Sequence, residues 1–293
     1  MLKFGIDLGG TKTEGAILDG DGHERFRERL ATDSSSYAAV LAGVERVYRR
    51  MCADSRDAPH TLGIGTPGAV SHCTGLLKNS NTTCLNGMPV AADLRARLGR
   101  DLAITNDANC FALAEALHGA GRGKRVVFGA ILGTGCGGGI VIDGRVHVGL
   151  QSIAGEWGHT SIDPNGPECY CGNRGCVETY ISGSGLERRH AEATGRPLAA
   201  EAIVQGWRAG DAHCAESMDA FFARFGRAVA NLIAVLDPDT VVVGGGLSNI
   251  DELYTRGVDE VARRVFSDSL ATPIVRNTLG DSAGVIGAAL VGV

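Results

Sequence analysis

The sequence predicts an α/β protein built from two similar lobes. Three observations carry this. Strand-like runs alternate with helical periodicities along the chain, a Gly-rich hairpin occurs twice, and three Gly-rich turns each follow a strand. The repeat is direct. FGIDLGGTKTEGAILDG, starting at Phe4, lies over FGAILGTGCGGGIVIDG, starting at Phe128, with identities at Phe4/Phe128, Gly5/Gly129, Leu8/Leu132, Gly9/Gly133, Gly15/Gly139, Asp19/Asp143 and Gly20/Gly144. One α/β unit around each copy implies two lobes with a cleft between them, a common place for a ligand. The length of 293 residues suits two domains.

The elements follow in order. Leu2–Leu8 is strand-like and ends in Gly9-Gly10-Thr11; Glu14–Leu18 returns as its hairpin partner and stops at Asp19-Gly20. Tyr37–Arg50 has helical spacing, and Thr61–Gly65 is a short strand running into the Thr66-Pro67-Gly68 turn. Val90–Leu98 reads as a short amphipathic helix. Asp101–Thr105 is a strand that stops at Asn106-Asp107, with a helix over Ala108–Leu117. Phe221–Leu236 is a long helix closed by Asp237-Pro238. Thr240–Val243 is a buried strand leading to Gly244-Gly245-Gly246, with a helix expected from Asp251. Gly284–Leu290 has the small residues of a helix packed closely on a neighbour.

Composition narrows the function classes. Hydrophobic residues at 44% and charged residues at 21% describe a folded globular chain rather than a disordered one. The net charge of 28 − 33 = −5 argues against coating nucleic acid, which needs a basic surface. MLKFGIDLGG lacks the apolar run of a secretory signal, and stretches such as Ala228–Leu236 fall far short of the ~20 residues that span a bilayer. A cytoplasmic protein without membrane or nucleic-acid partners is expected. The 43 glycines imply turns where backbone approaches another group closely.

Four sets of residues carry chemistry. The turns Gly9-Gly10-Thr11, Gly133-Thr134-Gly135 and Gly244-Gly245-Gly246 can aim backbone N–H groups at an anion, which suggests a nucleotide, although none fits the P-loop or dinucleotide patterns. Beside the first turn, Asp7 suits magnesium and Lys12 suits phosphate; a hairpin salt bridge is the alternative. Asp107, at a strand-to-helix junction, fits either a general base or a helix N-cap. His159, Cys169, Cys171 and Cys176 have the spacing of a closed tetrahedral zinc site, which reads as structural, with Glu156 and Glu178 flanking it. Asn79, Asn81 and Asn86 lie in KNSNTTCLNG, either a surface loop or a polyol-binding one.

Together these residues resemble the ROK family of repressors and sugar kinases. The motifs are GIDLGGTK at 5–12, NDAN at 106–109, LGTGCGGG at 132–139, GEWGH at 155–159, CYCGNRGCVE at 169–178, VVVGGG at 241–246 and GDSAGVIGAA at 280–289. The resemblance implies a two-lobed actin/hexokinase-like (ribonuclease H-like) duplicated fold and an ATP-dependent sugar kinase. The lobes would be 1–117, completed by a C-terminal helix at about 281–293, and 118–280, carrying the zinc loop.

Residue by residue, the resemblance implies nucleotide contacts at Gly5, Ile6, Asp7, Leu8, Gly9, Gly10, Thr11 and Lys12. It adds Gly133, Thr134, Gly135, Cys136, Gly137, Gly138, Gly139 and Ile140, with Gly244, Gly245 and Gly246 near the adenosine. Asp107 would be the catalytic base. The sugar would meet Asn79, Asn106, Asp107, Glu156, His159 and Glu178, and zinc would be held by His159, Cys169, Cys171 and Cys176. KNSNTTCLNG with GEWGH and CYCG looks most like the fructokinase branch, so phosphorylation of fructose at its 6-hydroxyl is expected, using ATP and Mg²⁺. Glucose, mannose and N-acetylhexosamines are the alternatives within the family. Cys84 stands where that branch tends to have Trp, and the stretch between His159 and Cys169 is short for it. A homodimer is implied by the resemblance alone. Family repressors add an N-terminal helix-turn-helix; with the motif starting at Gly5, none is expected here. A sugar sensor without catalysis is the reading from another class, and intact Asp7 and Asp107 argue against it.

Overall fold

The computed structural model describes residues 1–292; Val293, the last residue of the expected 281–293 helix, lies outside the described residues. The first part of the chain forms β1 (Leu2–Leu8), β2 (Lys12–Leu18), β3 (Glu24–Ala31), α1 (Tyr37–Asp54), β4 (His60–Thr66), the short β5 (Ala69–Val70) and β6 (Leu77–Lys78), α2 (Val90–Leu98), β7 (Ala103–Asn106) and α3 (Asp107–His118). There follow β8 (Val126–Leu132), β9 (Cys136–Ile142), β10 (Arg145–Val146), α4 (Glu178–Ile181), α5 (Gly183–Thr194), α6 (Ala200–Arg208), α7 (Ala212–Leu236), β11 (Thr240–Gly244), α8 (Arg256–Ala262), β12 (Ile274–Arg276) and α9 (Ala283–Val291).

Two five-stranded sheets run in the orders β3-β2-β1-β4-β7 and β10-β9-β8-β11-β12. In each, the first strand of a repeat copy stands at the centre. Its parallel neighbours lie to one side, β4 and β7 for β1, β11 and β12 for β8. The hairpin strands lie to the other side, and the outer two pair antiparallel. The repeat in the sequence is therefore a repeat in topology.

The chain packs into two compact units. One comprises Met1–His118, Gly139–Ala154 and the segment from Leu279; the other comprises Gly119–Gly138 and Gly155–Thr278. Gly139–Ala154 thus belongs with the first unit, whereas the sequence boundary at 118 puts it in the second lobe. The reason is contact with α3, which no local pattern reports: a Cβ on Gly139 would sit 2.6 Å from the Ala108 carbonyl oxygen and 2.9 Å from the Ala112 Cβ.

In the first unit, alternation along β1 buries Phe4, Ile6 and Leu8 against Val44, Val47 and Met51 of α1 and against Leu62 and Ile64 of β4. Each such side chain contributes about 1.5–3 kcal/mol by leaving water. The C-terminal helix α9 rests on β4 and α3 with almost no side chain between. A Cβ on Gly63 would lie 1.9 Å from the Ala288 carbonyl oxygen, and one on Gly287 would lie 1.8 Å from that of Cys110.

In the second unit, Phe128 of β8, Val241–Val243 of β11 and Phe222 and Phe225 of α7 are fully buried. Helix α7 starts earlier than the sequence predicts because Asp211 caps it, its side chain accepting the Cys214 N–H at 3.0 Å. Among the described residues, no helix is long and apolar enough to cross a membrane.

Candidate active site

In the first unit, Asp7, one residue before the end of β1, lies directly opposite Glu14 of β2. The turn between them closes through the Gly9 N–H, which donates to the Lys12 carbonyl at 2.9 Å. Glu14 is only 2% exposed and is bonded by Arg27 at 3.0 Å and by Arg29 at 2.7 and 3.0 Å. The Asp7 carboxyl is pushed up to about 7, first by burial, then by the charges of Asp107 and Glu14, with Lys12 and Arg29 opposing. Both Glu14 oxygens are taken by the arginines, which leaves Asp7 as the carboxylate here that suits a hard divalent cation such as magnesium.

At the junction of β7 and α3 the capping role that the sequence left open to Asp107 falls to its neighbour. The Asn106 side-chain oxygen accepts the Asn109 N–H at 2.8 Å, so Asn106 is the residue that caps α3. The Asp107 Oδ1 accepts its neighbour's N–H, that of Ala108 at 2.8 Å, and the residue is exposed. Crowding by the surrounding protein raises its carboxyl above the usual range, while backbone N–H groups pull it back.

The asparagines of KNSNTTCLNG divide by role. Asn86 stitches the loop: its Oδ1 accepts the Ser80 N–H at 2.8 Å and its Nδ2 donates to the Ser80 carbonyl at 2.9 Å. Asn79 is exposed and left-handed, with φ 60°, and Asn81 is exposed.

In the second unit, Gly133-Thr134-Gly135 turns on a bond from the Gly133 N–H to the Gly135 carbonyl at 3.0 Å. The start of α5 is tied to the same turn, with the Gly183 N–H donating to the Gly133 carbonyl at 2.7 Å. The Glu178 carboxylate accepts the Cys136 N–H at 2.8 Å, which fixes it beside the turn. A cavity of about 810 Å³ opens here, lined by Gly133, Thr134 and Gly246 and by residues of α5 and α6. That volume suits a nucleotide-sized ligand. Gly137, Gly138, Gly139 and Ile140 lie within β9, and Gly244 is buried in β11; none of them lines the cavity.

The GEWGH turn is held to β9 by the Trp157 indole N–H, which donates to the Gly137 carbonyl at 2.8 Å. The donor atoms of His159, Cys169, Cys171 and Cys176 all lie within 4.8 Å of one another. Cys169 Sγ is 3.6 Å from His159 Nδ1, and Cys171 Sγ is 3.6 Å from Cys176 Sγ. Zn–S bonds of about 2.3 Å at tetrahedral angles require ligand atoms roughly 3.5–3.8 Å apart, so the set fits zinc. The other His159 nitrogen, Nε2, lies 3.0 Å from the Tyr170 hydroxyl. A sugar hydroxyl reaching His159 would have to take Tyr170's place.

A family model described as ROK family matches residues 3–292. The chain belongs to the ROK family. It is similar to the N-acetyl-D-glucosamine kinase of Pasteurella multocida (strain Pm70), with 38% identity over 300 residues and 98% of each chain covered. Among solved structures it is similar to a ROK hexokinase from Thermus thermophilus, with a TM-score of 0.91 and 32% identity over 100% of this chain and 98% of that one. It is also similar to a ROK family glucokinase from Streptomyces griseus in complex with glucose and AMPPNP, with a TM-score of 0.80 and 28% identity over 100% and 99%. The α/β hexokinase-like fold expected from the resemblance is the fold observed. The names on these ROK relatives are N-acetylglucosamine kinase, hexokinase and glucokinase, whereas the sequence pattern favours the fructokinase branch.

Sequence reasoning found only Gly133, Thr134 and Gly246 of the ROK chain's cavity wall. Ser184, Glu187, Glu201, Val204, Gln205 and Arg208 line it from α5 and α6, two helices that the glycine pattern did not reveal. The available signal was Ser182 before Gly-Ser-Gly: its hydroxyl accepts the Gly185 N–H at 2.9 Å and starts α5.

Proposed function

We propose that this chain is an ATP-dependent kinase of N-acetylhexosamines, N-acetylglucosamine foremost, with Asp107 as general base. The observation that carries the reading is the division of labour at the head of α3, where Asn106 caps the helix and Asp107 is left with a solvent-reachable carboxyl of raised proton affinity. A raised pKa makes a carboxylate a stronger base at neutral pH. The substrate class is supported by the 38% identity to an N-acetyl-D-glucosamine kinase over nearly the whole of both chains. The donor is supported by the cavity beside Gly133 and Thr134 and by the AMPPNP bound in the similar glucokinase.

In this mechanism Asp107 accepts the proton of the sugar's primary hydroxyl as that oxygen bonds to the γ-phosphorus. The bond from phosphorus to the bridging oxygen breaks, and ADP leaves. Backbone N–H groups of the Gly-rich turns, with Lys12, meet the phosphate charge. Asp7 would hold magnesium, whose charge would neutralise the phosphate oxygens. Asn79, Asn106, Glu156, His159 and Glu178 are the proposed hydroxyl contacts. His159, Cys169, Cys171 and Cys176 are proposed to hold zinc as a structural ion, because four protein ligands leave no open position.

Fructose is the second reading, favoured by the likeness of KNSNTTCLNG, GEWGH and CYCG to the fructokinase branch. ADP release from MgATP against N-acetylglucosamine, N-acetylmannosamine, glucose, mannose and fructose separates the two. The highest kcat/KM on an N-acetylhexosamine is expected. Fructose in first place overturns the substrate class alone, and a lack of turnover with every sugar favours a sensor over a kinase.

A further inference from the structure

The cavity of the second unit contains a carboxylate placed for a ribose. Helix α5 starts on the phosphate-facing turn, with the Gly183 N–H on the Gly133 carbonyl at 2.7 Å and the Ser184 N–H on the Thr134 carbonyl at 3.4 Å. Glu187 stands one helical turn further on, about 6 Å along the axis. That is the order of distance between a nucleotide's first phosphate and its ribose hydroxyls. Glu187 lines the cavity and is half-buried. Its Oε1 accepts the Ala200 N–H at the start of α6, at 2.9 Å, so the carboxylate is fixed before any ligand arrives.

Its charged and amide neighbours in the wall are bonded elsewhere. Arg208 forms a two-point pair with Glu252 at 3.0 and 2.6 Å. Glu201 accepts from the Gln205 amide at 3.2 Å, and the Asn249 amide donates to the Gly246 carbonyl at 3.3 Å. Val204, Leu247 and Ile250 supply buried apolar walls, where a planar base can lie. A cis-diol presents two donors, and an ionised carboxylate is an acceptor at both oxygens. Dinucleotide folds use an acidic residue on the ribose for the same chemical reason.

We propose that Glu187 is the residue by which this chain selects a ribonucleotide donor, its carboxylate accepting the ribose 2′- and 3′-hydroxyls. The proposal rests on the nucleotide reading of the cavity. The test is KM for ATP and for 2′-deoxy-ATP, with the full-length chain and its Glu187→Gln and Glu187→Ala variants, at saturating sugar. Loss of a charge-assisted hydrogen bond should make the wild-type KM about tenfold higher for 2′-deoxy-ATP than for ATP. The ratio should fall toward one in Glu187→Ala and part-way in Glu187→Gln. The Gln variant keeps an oxygen for the Ala200 N–H, so it guards against misfolding as the cause. A wild type that uses ATP but does not distinguish the two nucleotides overturns the ribose assignment and leaves the nucleotide reading standing. So does a ratio unchanged in Glu187→Gln. A wild type that no nucleotide saturates overturns both.

Discussion

The Asn106 side chain accepts the Asn109 backbone N–H at 2.8 Å, and this single bond relieves Asp107 of capping α3. Base and cap are therefore separable by mutation. Asp107→Asn should lower kcat by about 10²–10⁴-fold, the usual worth of a positioned base, with the melting temperature nearly unchanged. Steady-state kinetics beside a thermal melt check this, and near-normal kcat would remove Asp107 as the base.

Asn106→Ala should behave differently. Losing an N-cap costs about 0.5–2 kcal/mol, so chemical denaturation should show that loss of stability. If Asn106 also meets the sugar, as proposed, its KM for sugar rises as well. Unchanged stability would mean that the Asn109 N–H finds another partner.

Cysteine replacement tests the metal set. Metal analysis of the purified chain should find about one zinc per chain, and Cys171→Ser should lose it. Since Glu178 follows two residues after Cys176 and is bonded to the Cys136 N–H at 2.8 Å, losing zinc should loosen Glu178 and raise the sugar KM. A variant that lacks zinc yet keeps full activity would refute the idea that zinc pins this loop.

His60 gives the fold a pH dependence. Its ring stacks on Phe4 with centroids 3.7 Å apart, its Nδ1–H donates to the Ala58 carbonyl at 2.7 Å, and its Nε2 meets the Arg100 guanidinium. Burial lowers its pKa below the ordinary 6.5; the Ala58 bond partly opposes this and the Arg100 charge adds to it. The unfolded chain therefore takes up this proton more readily than the folded one. The stabilising effect is present above about 6.5 and is lost as pH falls below that value. Asp7, pushed up to about 7, titrates over the same range in the opposite sense, so the effect of His60 lies in the difference between two chains: in urea unfolding the wild type should be weaker relative to His60→Gln at pH 5.5 than at pH 7.5. An equal pH response in wild type and variant would show that another group titrates.

What the sequence revealed and what it hid follow from the range of the interactions. The repeated hairpins were legible because Phe-Gly starts and Asp-Gly ends are local signals, and they became β1–β2 and β8–β9. Strand β3 went unseen: it carries Arg27 and Arg29 outward to Glu14, so its alternation is charged rather than apolar. Helix α5 opens with Gly-Ser-Gly, poor helix formers, and is held by Ser182 and by the Gly133 carbonyl, so Glu187 stayed hidden with it. The His–Cys cluster, proposed to hold zinc, and Asp107, the proposed base, stand out in the sequence by residue type. Whether Asp107 or Asn106 caps α3 was not legible, because the two side chains are adjacent and equally able.

The close seat of α9 gives the last prediction. The sequence signals a small-residue helix but not what it touches. The structure puts Gly287 against the Cys110 carbonyl, where a Cβ would lie at 1.8 Å, and the obstructing atom is backbone in α3, which cannot swing aside as a side chain can. Gly287→Ala must therefore push α9 away from α3, the helix that begins with Asp107. Overpacking of this kind costs about 1–3 kcal/mol or more, despite alanine being the better helix former by about 1 kcal/mol. Gly292→Ala, at the end of α9 and also near backbone, meets its neighbours only at 3.0 Å and should cost less. Comparing the two by chemical denaturation separates steric displacement from helix propensity. If Gly287→Ala were as stable as wild type, α9 would have to sit further from α3 than this packing allows, and the placing of Asp107 would need another support.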